Sequence, residues 1–313
     1  QLAVNLGPIG IQVGLFLLYS IVESQQEYFS EYIDFIIKYI LTYADCDDDY
    51  ILHYSFCLLS ELSDYATAAI TSKINSIVAY LTKNIAHPEA PNTLDYVLDR
   101  SLHPPDNLPE FLQNLINICQ QANSEQIVIT SISCIASSIS SSFHPCEEIY
   151  GMICPILNQA LQVNNNEMQK VAIRCFGNLS LIAPRSSSTE IEKLSTILMQ
   201  ILTAPAENSD LMLVSEAVIC LRKICQNLPI SFLPFFDGFV QVCMALLTNV
   251  YPIKQGETEG EKENDYFQDE FYIINEQLLL CVATFISSYP QKMLQFAEPF
   301  YQLLVTAQKN DNL

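Results

Sequence analysis

Apolar residues recur at helical spacing along most of the chain. Four segments can be laid under one another: "FSEYIDFIIKYIL" from Phe29, "FHPCEEIYGMICPIL" from Phe143, "FLPFFDGFVQVCMAL" from Phe232 and "LQFAEPFYQLL" from Leu294. Counted from the first residue, offsets +6, +7 and +10 carry Phe35, Ile36 and Tyr39; Ile149, Tyr150 and Ile153; Gly238, Phe239 and Val242; and Phe300, Tyr301 and Leu304. That spacing puts them on one face of a helix. Residues 231–250 are apolar enough to suggest a membrane span. They contain Asp237 and Pro234, however, and they are one copy of a recurring element, so a core helix rather than a span is expected.

Another helical segment precedes such a helix at 124–140, 209–229 and 268–290, and a further one, 166–184, precedes "TEIEKLSTILMQIL". These first helices start near Glu125, Glu167, Asp210 and Glu270, in steps of 42, 43 and 60 residues. The last step contains an insert, 251–267, and without those 17 residues it returns to 43. A two-helix unit repeating every ~40–47 residues is the signature of HEAT and armadillo repeats. The expected fold is therefore all-α: a right-handed solenoid of antiparallel helix pairs, forming one domain over 1–313 with about six to seven pairs. Upstream, 11–23 pairs with 28–43, 49–65 with 71–85, and 93–101 with 108–121. The rhythm breaks in the Pro-rich stretch 86–109. Pro184, Pro229 and Pro290 are expected to stop first helices. Phe176, Phe232, Phe239 and Leu280 are expected in the core.

Charge narrows the functions. The chain carries 35 acidic against 14 basic residues, a net charge of −21. Direct nucleic-acid binding needs Lys and Arg against phosphate, so it is not expected. A basic partner, or solubility alone, fits such a surface. Eleven Cys, an odd number without any C-x-x-C pair, lie mostly in apolar periodic segments. They read as buried free thiols in a reducing compartment, cytosol or nucleus. The chain opens on an uncharged segment that has no basic flank and carries Gly7, Pro8, Gly10 and Gly14. A secretory signal is not expected there; a start inside a longer protein, at a truncated repeat, is.

Motifs for chemistry are missing. No Gly-rich phosphate loop, H-E-x-x-H or G-x-S-x-G occurs. His53, His87, His103 and His144 are scattered, and His144-Pro145-Cys146 has no visible third partner for nucleophilic catalysis. The acidic run Asp45, Asp47, Asp48 and Asp49 lacks the Gly and Glu of a calcium loop and reads as a turn that caps the next helix. No catalytic, cofactor-binding or metal-binding residues are expected, and the chain is not read as an enzyme. The insert, with Glu257, Glu259, Glu261 and Glu263, reads as an acidic loop.

The repeats resemble the importin β (karyopherin) family, in the manner of importin-four and importin-five. The resemblance rests on "EQIVITSISCIASSISSSFHPCEEIYGMICPIL", "KVAIRCFGNLSLIA", "SFLPFFDGFVQVCMALL" and "AEPFYQLLV", and covers roughly 124–308. Ala172 and Gly177 match the small positions of the HEAT pattern, while Gln169 stands where Arg is usual. The resemblance implies a nuclear transport receptor, moving between cytoplasm and nucleus. Its partners would be basic cargo (nuclear import signals, histones or ribosomal proteins), the GTPase Ran and FG nucleoporins. Second helices line the cargo face in this family. Candidate cargo contacts are therefore Glu31, Asp34, Glu147, Glu148, Glu190, Glu192, Asp237 and Glu298, together with Glu257, Glu259, Glu261 and Glu263 of the insert. A HEAT or armadillo scaffold of another class, such as a phosphatase scaffold or a vesicle tether, fits the same repeats.

Overall fold

Short polar side chains open the first helices. Asp48 accepts hydrogen bonds from the Tyr50 and Ile51 N–H groups at 3.1 Å, Asn165 from Met168 at 3.1 Å and Asp210 from Leu213 at 3.1 Å. Each satisfies a donor that a helix start leaves without an intrahelical partner. The acidic run at 45–49 is thus a capping turn, as its sequence suggests. A computed structural model describes residues 7–24, 31–140, 147–204, 210–250 and 265–309. Among them every regular element is helical and none is a strand. They fall into two compact units, Gln1–Phe143 and His144–Leu313.

The first unit holds α1 (Gly7–Ser24), α2 (Ile33–Leu41), α3 (Asp49–Tyr65), α4 (Thr67–Ser72), α5 (Ile74–Lys83), α6 (Ala90–Arg100), α7 (Leu108–Gln121) and α8 (Glu125–Ser140). The first helices α1, α3, α6 and α8 stack on one another in that order, and α5 and α7 fill the seams against α6 and α8. The Pro-rich stretch forms α6 three residues earlier than expected, because Pro91 occupies one of the first positions of that helix, where its missing N–H costs nothing.

The second unit holds α9 (Glu147–Ala160), α10 (Asn166–Leu179), α11 (Ser188–Leu202), α12 (Leu211–Asn227), α13 (Pro229–Phe232), α14 (Phe236–Val250), α15 (Asp265–Ser288), α16 (Pro290–Met293) and α17 (Ala297–Lys309). Here α10, α12 and α15 stack, with α9 and α11 in the seams. The start of α10 meets the start of α12, through Asn166 donating to Asp210 at 3.0 Å. Their ends also meet, through Asn227 donating to Ser180 at 3.0 Å. Successive first helices therefore run parallel, and the helix between them must run back, which makes each unit a stack of antiparallel pairs. Gly177 lies at the α10–α12 crossing, where an added Cβ would come 3.3 Å from the Cys220 Cα. The glycine of the repeat pattern is there for backbone approach.

Several expectations need correcting. Leu280 is 41% exposed; the buried stripe of α15 is Ile274, Leu278, Cys281 and Phe285, one register away. Phe176, Phe232 and Phe239 are buried as expected. In the overlay of second helices, Phe35 and Tyr301 are 66% and 60% exposed. The face shared by α2 and α14 is Ile36, Ile37, Ile40 and Phe239, Val240, Cys243, at offsets +7, +8 and +11. In the segments from Phe143 and Leu294 the buried face starts one offset earlier, with Ile149, Tyr150 and Ile153 and with Phe300. Pro229 and Pro290 are the first residues of α13 and α16, so they open the second helices rather than merely closing the first. A 3₁₀ turn at Leu233–Phe235, containing Pro234, separates α13 from α14, so 231–250 is not one straight helix. The last three residues of the insert already belong to α15; 251–264 lie outside the described residues.

Two helical stretches are long and apolar enough to cross a membrane by length and composition, Gly7–Ser24 and Pro229–Leu247, the second interrupted by that 3₁₀ turn. In the second, Phe232, Phe236, Phe239, Val240, Cys243 and Leu247 are buried in the unit's core. In the first, Ile9, Val13, Phe16, Leu17 and Ile21 form an exposed apolar stripe. The described cysteines are free thiols, most of them buried. Burial pushes Cys119 up to about 11 and Cys225 up to about 12, so these thiols are packing groups. The sequon residue Asn178 is buried and accepts from Lys223 Nζ at 2.5 Å.

Candidate functional site

Second helices place the predicted acidic side chains on the surface. Glu31, Asp34, Glu147, Glu148, Glu190, Glu192, Asp237 and Glu298 are all exposed. Glu257, Glu259, Glu261 and Glu263 lie outside the described residues, as does His144-Pro145-Cys146. The structure brings some of these acids together. Glu147 and Glu190 line one open cleft of about 360 Å³ with Tyr150, Asn158 and Ser186, and Ser186 Oγ donates to Glu147 at 3.2 Å. Glu31 and Asp34 line another, of about 420 Å³, whose floor is Ala66, Ala68 and Ala69. Glu148 and Glu192 line neither cleft. Asp237 faces Lys292 at 3.6 Å and accepts from Gln295, and Glu298 accepts from Gln302 at 2.7 Å.

The scarce cations are engaged elsewhere, mostly between first helices. Lys170 bridges Glu167 at 2.8 Å and Asp210 at 3.1 Å. Arg174 binds Glu216, Arg100 binds Asp64 at 3.3 Å, and Lys83 binds Asp45. Among the described residues no Lys or Arg forms an ion pair with Glu31, Asp34, Glu147, Glu148, Glu190, Glu192 or Glu298. These carboxylates are left to solvent or to a partner. Three of these cations, Arg100, Lys170 and Arg174, tie first helices to one another, while these acids of the second helices form no ion pair with Lys or Arg.

Burial opposes both charges of the Lys170–Asp210 pair. For Asp210 the Leu213 N–H, Lys170 and Asn166 outweigh burial and hold the carboxyl below the usual range. For Lys170 the hydrogen bonds it donates to Glu167 and Asp210 outweigh it and lift the ammonium. Lys223, deeper in the α10–α12 seam, is pushed down by burial. Gln169 donates to the Leu161 and Val163 carbonyls at 3.4 and 3.0 Å, which ties the turn before α10 to its first turn.

One cluster was missed by the sequence reading, which expected no metal-binding residues. His53 and Cys57, one turn apart on α3, meet Glu89 at the start of α6, and one donor atom from each lies within 4.8 Å of the others. The spacing of His53 and Cys57 was the available signal; the third partner comes from 32 residues further on and only the stacking of α3 on α6 brings it there.

No family model matches the chain, and no curated protein matches it. Solved structures do. Kap121p bound to Nup53p is 13% identical with a TM-score of 0.57, the likeness covering 97% of this chain and 30% of that one. Kap121p bound to RanGTP is 13% identical with a TM-score of 0.54, covering 96% and 30%. A designed armadillo repeat protein in complex with the peptide (KR)4 is 15% identical with a TM-score of 0.47, covering 76% and 98%. The chain therefore spans about 30% of the length of Kap121p. At such identity the likeness speaks for the fold alone, and that fold is an all-α helical-repeat solenoid.

Proposed function

We propose that this chain is a segment of a nuclear transport receptor, akin to importin-four and importin-five, that binds basic cargo along its acidic second helices. The observation that carries the reading is the set of exposed acids on α9, α11 and at the start of α2 that form no ion pair with Lys or Arg among the described residues. Lys- and Arg-rich segments of nuclear import signals, histones or ribosomal proteins supply the missing charge. At physiological salt their attraction acts over a Debye length of ~8 Å. The fold agrees with this reading: Kap121p, of the importin-β family, shares it, and its solved complexes include Nup53p, Ste12p, Pho4p and RanGTP. Ran and FG nucleoporins are further partners under this proposal, and the protein would move between cytoplasm and nucleus.

The test is a fluorescence-anisotropy titration with a labelled Lys/Arg-rich nuclear-signal peptide. Saturable binding that weakens with salt and is released by Ran loaded with GTP is the expected result. Binding insensitive to Ran-GTP would assign the chain to a scaffold of another class. Absence of binding at low salt would remove basic cargo altogether.

A further inference from the structure

The feature that the proposed function leaves unused is the His53–Cys57–Glu89 cluster on the first helices. Glu89 is the N-cap residue of α6, yet its side chain makes no capping hydrogen bond. An acid in that position ordinarily turns onto the free N–H groups and the positive end of its own helix. This one reaches across to α3 instead. Its Oε1 lies 2.5 Å from His53 Nδ1, and its Oε2 lies 3.9 Å from Cys57 Sγ. Cys57 Sγ is also 3.9 Å from His53 Nε2.

The chemistry of the set follows from these contacts. A carboxylate oxygen only accepts, so His53 carries its proton on Nδ1 and donates it to Glu89. An ion can take the place of that proton between ring and carboxylate, with the nearby thiol as a third ligand. Imidazole, thiolate and carboxylate together suit a borderline-soft divalent ion. With bonds of about 2.0–2.3 Å, tetrahedral ligands stand roughly 3.3–3.6 Å apart. The three donor atoms lie within 4.8 Å of one another, and rotations of half-exposed side chains bring them to that spacing.

Access is also present. The His53 and Glu89 side chains are 41% and 38% exposed, so an ion can reach them. Cys57 and Glu89 form part of the wall of an open cleft of about 360 Å³, which also carries Glu61 and Asp64. The cleft supplies water for a fourth position, and its carboxylates favour a cation.

We propose that His53, Cys57 and Glu89 form a three-ligand site for a divalent first-row ion, Zn²⁺ being the best match, with water as the fourth ligand. Binding converts the Cys57 S–H to thiolate and releases its proton to solvent. The ion joins the middle of α3 to the start of α6, within the first unit.

Cobalt(II) is the probe, because it takes zinc's geometry and absorbs light. Titration of the purified protein with Co²⁺ should saturate at one equivalent, with a thiolate-to-cobalt charge-transfer band in the near ultraviolet and visible bands of tetrahedral intensity. Zn²⁺ should displace it. Cys57→Ser should abolish the charge-transfer band, and Glu89→Gln should weaken Co²⁺ binding tenfold or more, with helix content unchanged by circular dichroism. His53→Gln supplies a second route should Cys57→Ser fail to fold. The proposal is overturned if the wild-type protein shows no saturable Co²⁺ band. It is equally overturned if the band persists in these folded variants, since another thiol would then be the ligand.

Discussion

Arg174 on α10 holds Glu216 on α12 through two nitrogens, Nε at 3.0 Å and Nη2 at 2.5 Å, both on the same carboxylate oxygen. The Glu216 side chain is 8% exposed and that of Arg174 46%. The pair is lopsided: a sheltered acid with a half-solvated base above it. Arg174→Ala strands the acid, and a buried acceptor left without its donor costs about 1–3 kcal/mol. The double variant Arg174→Ala/Glu216→Leu, which removes both partners, should recover most of the loss. Thermal unfolding of the three proteins checks this; equal losses in single and double variants would show that the ion pair is not what the single change removes.

The α10–α12 seam makes a second prediction at Gly177. A side chain there meets the Cys220 Cα at 3.3 Å and Lys223 Cδ at 3.3 Å. Gly177→Val forces the two helices apart, and overpacking of this kind costs about 1–3 kcal/mol. Gly151, on α9, has nothing within 4 Å of an added Cβ. Gly151→Ala should therefore stabilise the protein by about 0.5–1 kcal/mol, by restricting the unfolded chain and raising helix propensity. Opposite shifts in the denaturation midpoint are the expected outcome.

Core register gives a third. Phe239 is fully buried and stands edge-on to Phe232 and Phe285, with ring centroids 5.7 and 5.4 Å away. Phe239→Ala should cost about 3–5 kcal/mol. Leu280→Ala, on the outer side of α15, should cost far less. Comparable losses at both positions would mean that Leu280 is covered in solution.

The two-helix period was legible because its signals are local: caps such as Asp48, Asn165 and Asp210, and apolar stripes at helical spacing. Register was less legible where a helix is apolar all round. In α15, "QLLLCVATF" offers Leu278, Leu279 and Leu280 as equivalent candidates, and only the stacking on α12 decides that Leu278 and Cys281 face inward. The exposed acids of the second helices could be placed because an unpaired Glu at a helix start has few other roles. The ion pairs between first helices could not, since their partners lie about one repeat apart, as Arg174 and Glu216 do. The same distance hid Glu89 from His53 and Cys57.

Acid should loosen the second unit through Asp210. Its carboxyl is held below the ordinary range, so the folded state binds its proton less readily than the unfolded chain. The stability this contributes is fully present above the unfolded value of about 3.9 and is lost as pH falls through the lower folded value. Asp210→Asn should therefore lower the Tm at pH 7 and make little difference near pH 2. A Tm deficit that stays constant between those pH values would show that the cap hydrogen bond to Leu213, not the charge, carries the effect.

The acidic cleft between α9 and α11 tests the cargo surface most directly. Glu147 and Glu190 share it, neither has an ion-pair partner among the described residues, and the Ser186 hydroxyl that donates to Glu147 leaves the charge in place. Exposed charge pairs are worth about 0.2–1 kcal/mol each, so neutralising two should weaken a Lys/Arg-rich peptide by roughly twofold to thirtyfold at low salt. Glu147→Gln/Glu190→Gln is the variant, since it keeps shape and removes only charge. Screening shortens the reach of both proteins' fields, so the gap between wild type and variant should shrink as salt rises towards 0.5 M. A deletion of 256–264 removes Glu257, Glu259, Glu261 and Glu263 in the insert and should act in the same direction if those charges reach the peptide. Unchanged affinity in the double variant at low salt, with the deletion weakening binding, would move the cargo contact from the helices to the insert.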